Sequence, residues 1–231
     1  FSFYFFLIFG TLKEAFEIEE VRWYVIIVII STLLISINIL PQMPNYGDSL
    51  KHAAFQVSTI ISSTGFATMD FDQWPQFSRT LLVILMFLGG CAGSTGGGIK
   101  ISRIIIYIKS VKKELSYFIH PRSIKVLKMD NKILPDDEIR TVNIFLITYF
   151  IVFGGSLLVL AFDGYDLTTN FTAVAATINN IGPGLEMVGP SRNYEFFNPW
   201  SKIVLMFDML AGRLELFALM LSFSPGAWKK N

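Results

Sequence analysis

The sequence predicts an all-α membrane protein made of parallel repeats of one unit. Each unit reads as a long helix, a short reentrant helix ending in a glycine turn, and a second long helix. Three observations carry this reading. Apolar residues are 52% of the 231 and charged residues only 16%, where a soluble domain spends about a quarter on charge. Two stretches, 23–40 and 144–162, carry no charge at all, and at ~1.5 Å per residue each comes close to crossing a hydrocarbon core of about 30 Å. Each is followed by a segment too short to span, then a glycine turn, then another apolar stretch.

In order, residues 1–10 (FSFYFFLIFG) read as the end of an apolar helix stopping at Gly10, and 11–22 as a short charged segment. The opening lacks the basic region and small-residue cleavage site of a signal peptide, so the chain is expected to begin inside a membrane helix. The span 23–40 stops at Pro41. SLKHAAFQVSTII, 49–61, is the first short helix and runs into STGF at 63–66. After a polar loop, LLVILMFLGG at 81–90 is broken by GGCAGSTGGG at 89–98, and helical sequence resumes over 99–119. A charged stretch containing Pro121 and Pro135 leads to the span 144–162. TTNFTAVAATI, 168–178, is the second short helix and runs into NNIGPGL at 179–185; the last helix covers about 202–223. Setting Gly65 level with Gly182, 117 residues on, also matches Val57 with Val174 and Ile61 with Ile178.

Charge placement orients the units. Lys109, Lys112, Lys113, Arg122, Lys125, Lys128, Lys132 and Arg140, with Lys229 and Lys230 in the tail, belong on the cytoplasmic side by the positive-inside rule. The 41–80 loop balances Lys51 and Arg79 against Asp48, Asp70 and Asp72 and reads as external. Both units then run the same way, unlike the inverted repeats of many secondary transporters.

A half-spanning helix leaves backbone unpaired at membrane depth, which is tolerated only where it is buried in protein or lines a wet cavity. Carbonyls that replace the water shell of a cation give such a segment a purpose. The candidate selectivity elements are Ser63-Thr64-Gly65-Phe66 and Asn180-Ile181-Gly182-Pro183. Thr64, Gly65, Ile181 and Gly182 are the candidates to offer carbonyls to potassium, the transported substrate. Ser63 and Asn180 would line the cavity below or brace the turn. Two units cannot close a ring, so two more are expected from elsewhere in a longer chain or from a second copy.

The glycine run is not a phosphate loop: Gly93 and Gly98 have the spacing, but Ile99 stands where a lysine is required. Six glycines in ten residues make a continuous helix costly. A coil here could lie across the ion path as a gate made of Gly93, Ser94, Thr95, Gly96, Gly97 and Gly98, or serve as a static packing break. Arg213 in the last helix is read as a pore-facing charge that meets this coil. Asp208 is a poorly spaced partner for it, and Lys100 is expected to mark the pore's inner side. Cys91 is the single cysteine, so no intrachain disulfide forms; it reads as a small packing residue. His52 and His120 match no metal-ligand spacing, and no carboxylate pair or nucleophile–base pattern supports an enzyme. No cofactor and no nucleic-acid partner is expected.

STGF at 63–66, FxxWP at 71–75, GGCAGSTGGGIK at 89–100, NNIGPG at 179–184 and GRLE at 212–215 together resemble the TrkH/KtrB family of potassium-translocating membrane proteins. HPRS at 120–123 looks like the TrkH branch. The resemblance implies four parallel M1–reentrant P-loop–M2 units around a pseudo-fourfold pore. Residues 1–12 would end the second unit, 13–120 form the third, 121–140 a cytoplasmic linker and 141–231 the fourth. It further implies filter glycines at Gly65 and Gly182, an intramembrane gating loop at 89–98 and a loop-contacting arginine at Arg213. It implies a homodimer in membrane lipid of the bacterial plasma (inner) membrane, on a cytoplasmic nucleotide-binding RCK ring of TrkA/KtrA type. Potassium against sodium selectivity stays open, as does the alternative of an alternating-access symporter moving potassium with sodium or protons.

Overall fold

The computed structural model describes residues 16–94, 96–120, 126–130 and 132–214. The expected helix end at 1–12, Thr95, residues 121–125 of the linker, and Glu215 with the rest of the last helix lie outside them. The elements are α1 (Glu19–Ile39), α2 (Tyr46–Ile61), α3 (Gln76–Phe87), α4 (Ile101–Ile119), α5 (Asp136–Ala161), α6 (Leu167–Ile178) and α7 (Pro199–Arg213). Short 3-10 turns stand at Leu40–Gln42, Phe71–Gln73 and Glu186–Val188. The linker adds something an all-α reading omits: a small antiparallel hairpin of β1 (Lys128–Met129) and β2 (Lys132–Ile133).

The helices begin earlier than their uncharged windows suggest, because their first turns use charge. α1 opens with Glu19 and Glu20, and α5 opens with Asp136, Asp137 and Glu138, where carboxylates complement the helix dipole. Both helices are long and apolar enough to cross a membrane. In α1 small polar residues share the buried face with Val21, Ile35 and Ile39. α1 buries Ser31, Thr32 and Ser36 and exposes Ile29, Leu33 and Ile37. Small polar residues let helices approach closely in lipid, and the Ser49 hydroxyl of α2 donates to the Ser36 carbonyl at 2.5 Å.

α1, α2 and α3 pack as one unit and α5, α6 and α7 as another; α3 against α6 and α4 against α5 join them. The core runs through both, from Ile35, Val57 and Leu82 to Phe153, Val174 and Leu205. The loops that follow the two short helices meet on one side. There Arg79 reaches Asp72 at 3.1 Å and Glu186 at 2.6 Å, and Ser191 donates to Asp70 at 3.0 Å. Equivalent loops on one side mean that the two units point the same way.

Candidate cation filter and gating loop

The two short helices end in the same backbone device. After α2, Thr64 and Gly65 both donate to the Thr59 carbonyl, at 2.8 and 3.4 Å. After α6, Ile181 and Gly182 both donate to the Ala176 carbonyl, at 2.8 and 3.3 Å. Each partner lies 117 residues from its equivalent. The turns also share their dihedrals: Ser63 and Asn180 both stand at φ 55°, Gly65 at 80° and Gly182 at 104°. Each turn thus takes positive φ twice, two residues apart, and at the second place glycine adopts it without a Cβ penalty. Ser63 and Asn180 are therefore the left-handed residues that start each turn, and both brace it. The Ser63 hydroxyl donates to the Asn179 carbonyl of the other unit at 3.1 Å, and the Asn180 amide donates to Met209 of α7 at 3.0 Å.

The two turns abut. A Cβ placed on Gly65 would stand 2.0 Å from the Ile181 carbonyl oxygen, whereas one on Gly182 meets nothing within 4 Å. Among the described residues the carbonyls of Thr64, Gly65 and Ile181 accept no hydrogen bond. The Gly182 carbonyl differs: it accepts from the Tyr194 hydroxyl at 2.6 Å.

The glycine run lies directly under both turns. α3 stops at Phe87 and α4 starts at Ile101, and the loop between them is closed at its neck. Gly89 donates to Ile99 at 2.9 Å, Ile99 to Phe87 at 3.1 Å and Ile101 to Gly90 at 3.4 Å. Gly96 faces Ser62 and Ser63, where a Cβ would come within 3.3 Å of the Ser63 hydroxyl oxygen. A Cβ on Gly97 would lie 2.4 Å from the Asn179 carbonyl oxygen, and one on Gly98 3.1 Å from the Asn179 side-chain oxygen. Asn179 is held in turn by the Tyr149 hydroxyl at 2.9 Å.

Charged groups fix the loop. Lys100 is buried and folds back, donating to the Ser94 carbonyl and hydroxyl at 3.2 and 3.1 Å and to the Gly96 carbonyl at 2.5 Å. Glu20 of α1 was missed in the sequence. Its carboxylate is buried and one oxygen accepts from Ala92 in the loop at 2.7 Å and from Ser102 in the first turn of α4 at 3.0 Å. Next to it, Glu19 pairs with Lys109 of α4 at 2.5 Å, and the Glu19 amide donates to Asp130 in the linker hairpin at 2.8 Å. The start of α1 thus ties the loop, α4 and the linker together.

Arg213 shares a cavity of about 170 Å³ with Ser94, Gly96, Gly98, Lys100 and Arg103. The Arg103 guanidinium lies 3.9 Å above the Phe145 ring on the same cavity wall. Three basic side chains thus line the space beside the loop. α7 reaches the end of α6 through Gly212, where a Cβ would stand 1.8 Å from the Ile178 carbonyl oxygen. Asp208 turns the other way and accepts from Ser156 of α5 at 2.7 Å. Among the described residues no cluster of histidine, cysteine or carboxylate side chains could hold a metal ion.

The cation transport protein family TrkH matches residues 16–230. The potassium uptake protein TrkH of Salmonella typhimurium is 40% identical over 182 residues, 79% of this chain and 37% of that protein. TrkG of Escherichia coli is 34% identical over 222 residues, 95% of this chain and 45% of that protein. The crystal structure of the potassium transporter TrkH from Vibrio parahaemolyticus superposes with a TM-score of 0.87 at 35% identity, over 99% of this chain and 49% of that one. The chain thus spans well under two thirds of the length of these relatives. By sequence and by fold the chain belongs to the TrkH family, whose members are transporters and not enzymes, and it is a multi-pass protein of the bacterial inner membrane.

Proposed function

We propose that the chain supplies two of four units around a potassium path, and that the glycine loop closes this path just below the filter. The observation that carries this is the pair of matching left-handed turns. They meet through Gly65 and Ile181, offer unpaired carbonyls, and rest on Gly96 and Gly97. The names of the relatives, potassium uptake proteins, support potassium as the cargo. Carbonyl dipoles stand in for its hydration shell, and the basic cavity holding Arg213 repels cations while the loop is in place. A pseudo-fourfold ring is supported by the surroundings of the short helices. α6 is enclosed by α5, α7 and α3, whereas α2 leaves Phe55 41% exposed, and Gly182 faces open space. The complete protein acts as a homodimer on a cytoplasmic nucleotide-binding ring, which the basic α4 and linker would meet.

A second reading, symport, has one observation in its favour. Asp208 is fully buried and its second carboxylate oxygen has no partner among the described residues, as a site that takes up a coupling ion would be.

The test is permeation by the full-length protein in liposomes. Gly65→Ser should lower the potassium to sodium permeability ratio, since its side chain collides with the Ile181 carbonyl; an unchanged ratio would remove the filter assignment. Uptake that needs an inward sodium or proton gradient, and loses that need in Asp208→Asn, would favour symport.

A further inference from the structure

The two filter turns share their hydrogen bonds up to the glycine and then diverge. The Gly182 carbonyl accepts from Tyr194 at 2.6 Å, while the Gly65 carbonyl accepts nothing among the described residues. Past the turns the loop of the second unit is six residues longer, so that the helix N-caps Pro75 and Asn198 and the buried Ser78 and Ser201 stand 123 apart; the counterpart of Tyr194 is then Phe71, which is buried and has no hydroxyl. The difference is therefore written in the sequence and is not an accident of one rotamer.

The hydroxyl comes from a fixed block. The Tyr194 ring lies 6.1 Å from Phe197, which is buried. Phe197 in turn meets Phe196 at 4.4 Å and Tyr165 at 5.6 Å. The Tyr165 hydroxyl donates to the Phe196 carbonyl at 2.8 Å. Behind the block, Asp163 accepts from the Asn198 amide and side chain at 3.1 and 2.8 Å, anchoring the start of α7. Burial raises the Tyr194 phenol above its usual range, so the group remains a donor at neutral pH. A phenol O–H on a carbonyl restrains the direction of that carbonyl and occupies one of its lone pairs.

We propose that Tyr194 is a positioning residue of the filter: its hydroxyl holds the Gly182 carbonyl at a set distance from the ion path, and so favours potassium over a smaller cation. A carbonyl whose oxygen is tethered to one side by a donor cannot swing in on sodium, and one released from its donor can. The inference rests on the assignment of Asn180–Gly182 as filter, and its test separates the two.

Permeability ratios are measured for full-length protein in liposomes. Tyr194→Phe should lower the potassium to sodium ratio by roughly three- to tenfold, the size of one neutral hydrogen bond, with the elution profile kept. Replacing Tyr194 by 4-aminophenylalanine, which keeps ring and donor, should restore the ratio. If Tyr194→Phe does not fold, 4-fluorophenylalanine at 194 removes the donor with little change of shape, and the same fall is expected. An unchanged ratio in the donorless variants, with a lowered ratio in Gly65→Ser, would overturn the role of Tyr194 and leave the filter standing. Unchanged ratios in both would overturn the filter and this inference with it. A fall that the amino variant does not reverse would assign the effect to ring packing and refute the hydrogen bond.

Discussion

Glu20→Ala removes an oxygen that accepts two backbone N–H groups, from Ala92 at 2.7 Å and Ser102 at 3.0 Å. Only one of these bonds bears on gating. Ser102 belongs to the first turn of α4 and keeps its bond wherever the loop goes, whereas Ala92 must leave Glu20 for the loop to move. A ligand or contact shifts an equilibrium only by its difference between the two states, so the relevant quantity is one charge-assisted bond, about 1.5–3 kcal/mol. That is roughly a 10- to 150-fold shift towards the open loop. Glu20→Gln keeps an acceptor and loses the charge, so it should shift the balance by about 1 kcal/mol, roughly fivefold. The assay is rubidium uptake into liposomes by the full-length protein without activators. The expected order of basal flux is alanine above glutamine above wild type. Loss of thermal stability with unchanged basal flux would confine Glu20 to the start of α4 and refute its hold on the loop.

Gly97→Ala should also raise basal flux, because its Cβ meets the Asn179 carbonyl at 2.4 Å and that backbone cannot yield. Gly93→Ala, where a Cβ meets nothing within 4 Å, should leave flux nearer to wild type in the same assay, at a left-handed strain cost of about 1 kcal/mol. Asp166→Ala removes the N-cap of α6, which accepts from Thr169 at 2.9 Å, and should destabilise the protein by about 1 kcal/mol in thermal unfolding at pH 7. Burial alone would raise the Asp166 carboxyl, but the hydrogen bonds from Thr169 outweigh it and hold it below the usual range. Its contribution is therefore complete above the unfolded value of about 3.9 and lost as pH falls through the lowered folded value. The gap between wild type and Asp166→Ala should close over that acid window; a gap independent of pH would refute the charged cap.

Much of the fold could be read from spacing. The offset of 117 residues, first suggested by Val57, Ile61 and Gly65, returns as matching hydrogen bonds at Thr59 and Ala176. Glycine at 65 and 182 announced the turns because few residues take positive φ. The left-handed start of each turn was harder to see, since Asn180 is a familiar occupant of that region and Ser63 is not. Long-range polar partners were not legible. Glu20 sits in a charged stretch that looks like any solvated helix start, and only the packing of α1 beside α4 brings it to Ala92. The bonds from Lys100 back to Ser94 and Gly96 had no signal either, because sequence cannot show a side chain folding back over four to six residues. Tyr194 carried no signal of its own; comparison with Phe71 gains meaning only once the hydroxyl is seen at Gly182.

The closed neck of the glycine loop has a mechanical consequence. Because Gly89 and Ile99 are already bonded, as are Ile101 and Gly90, the loop is a side branch and not a link in series between α3 and α4. A pull or twist arriving along α4 from the cytoplasm passes across the neck into α3 without stretching the loop at all. It reaches the loop through the contacts at Lys100 and Glu20. On the proposed gating, the barrier and the rod that would command it are thus separate parts, coupled through a few polar bonds whose strength can be retuned without disturbing the scaffold that carries the two glycine turns.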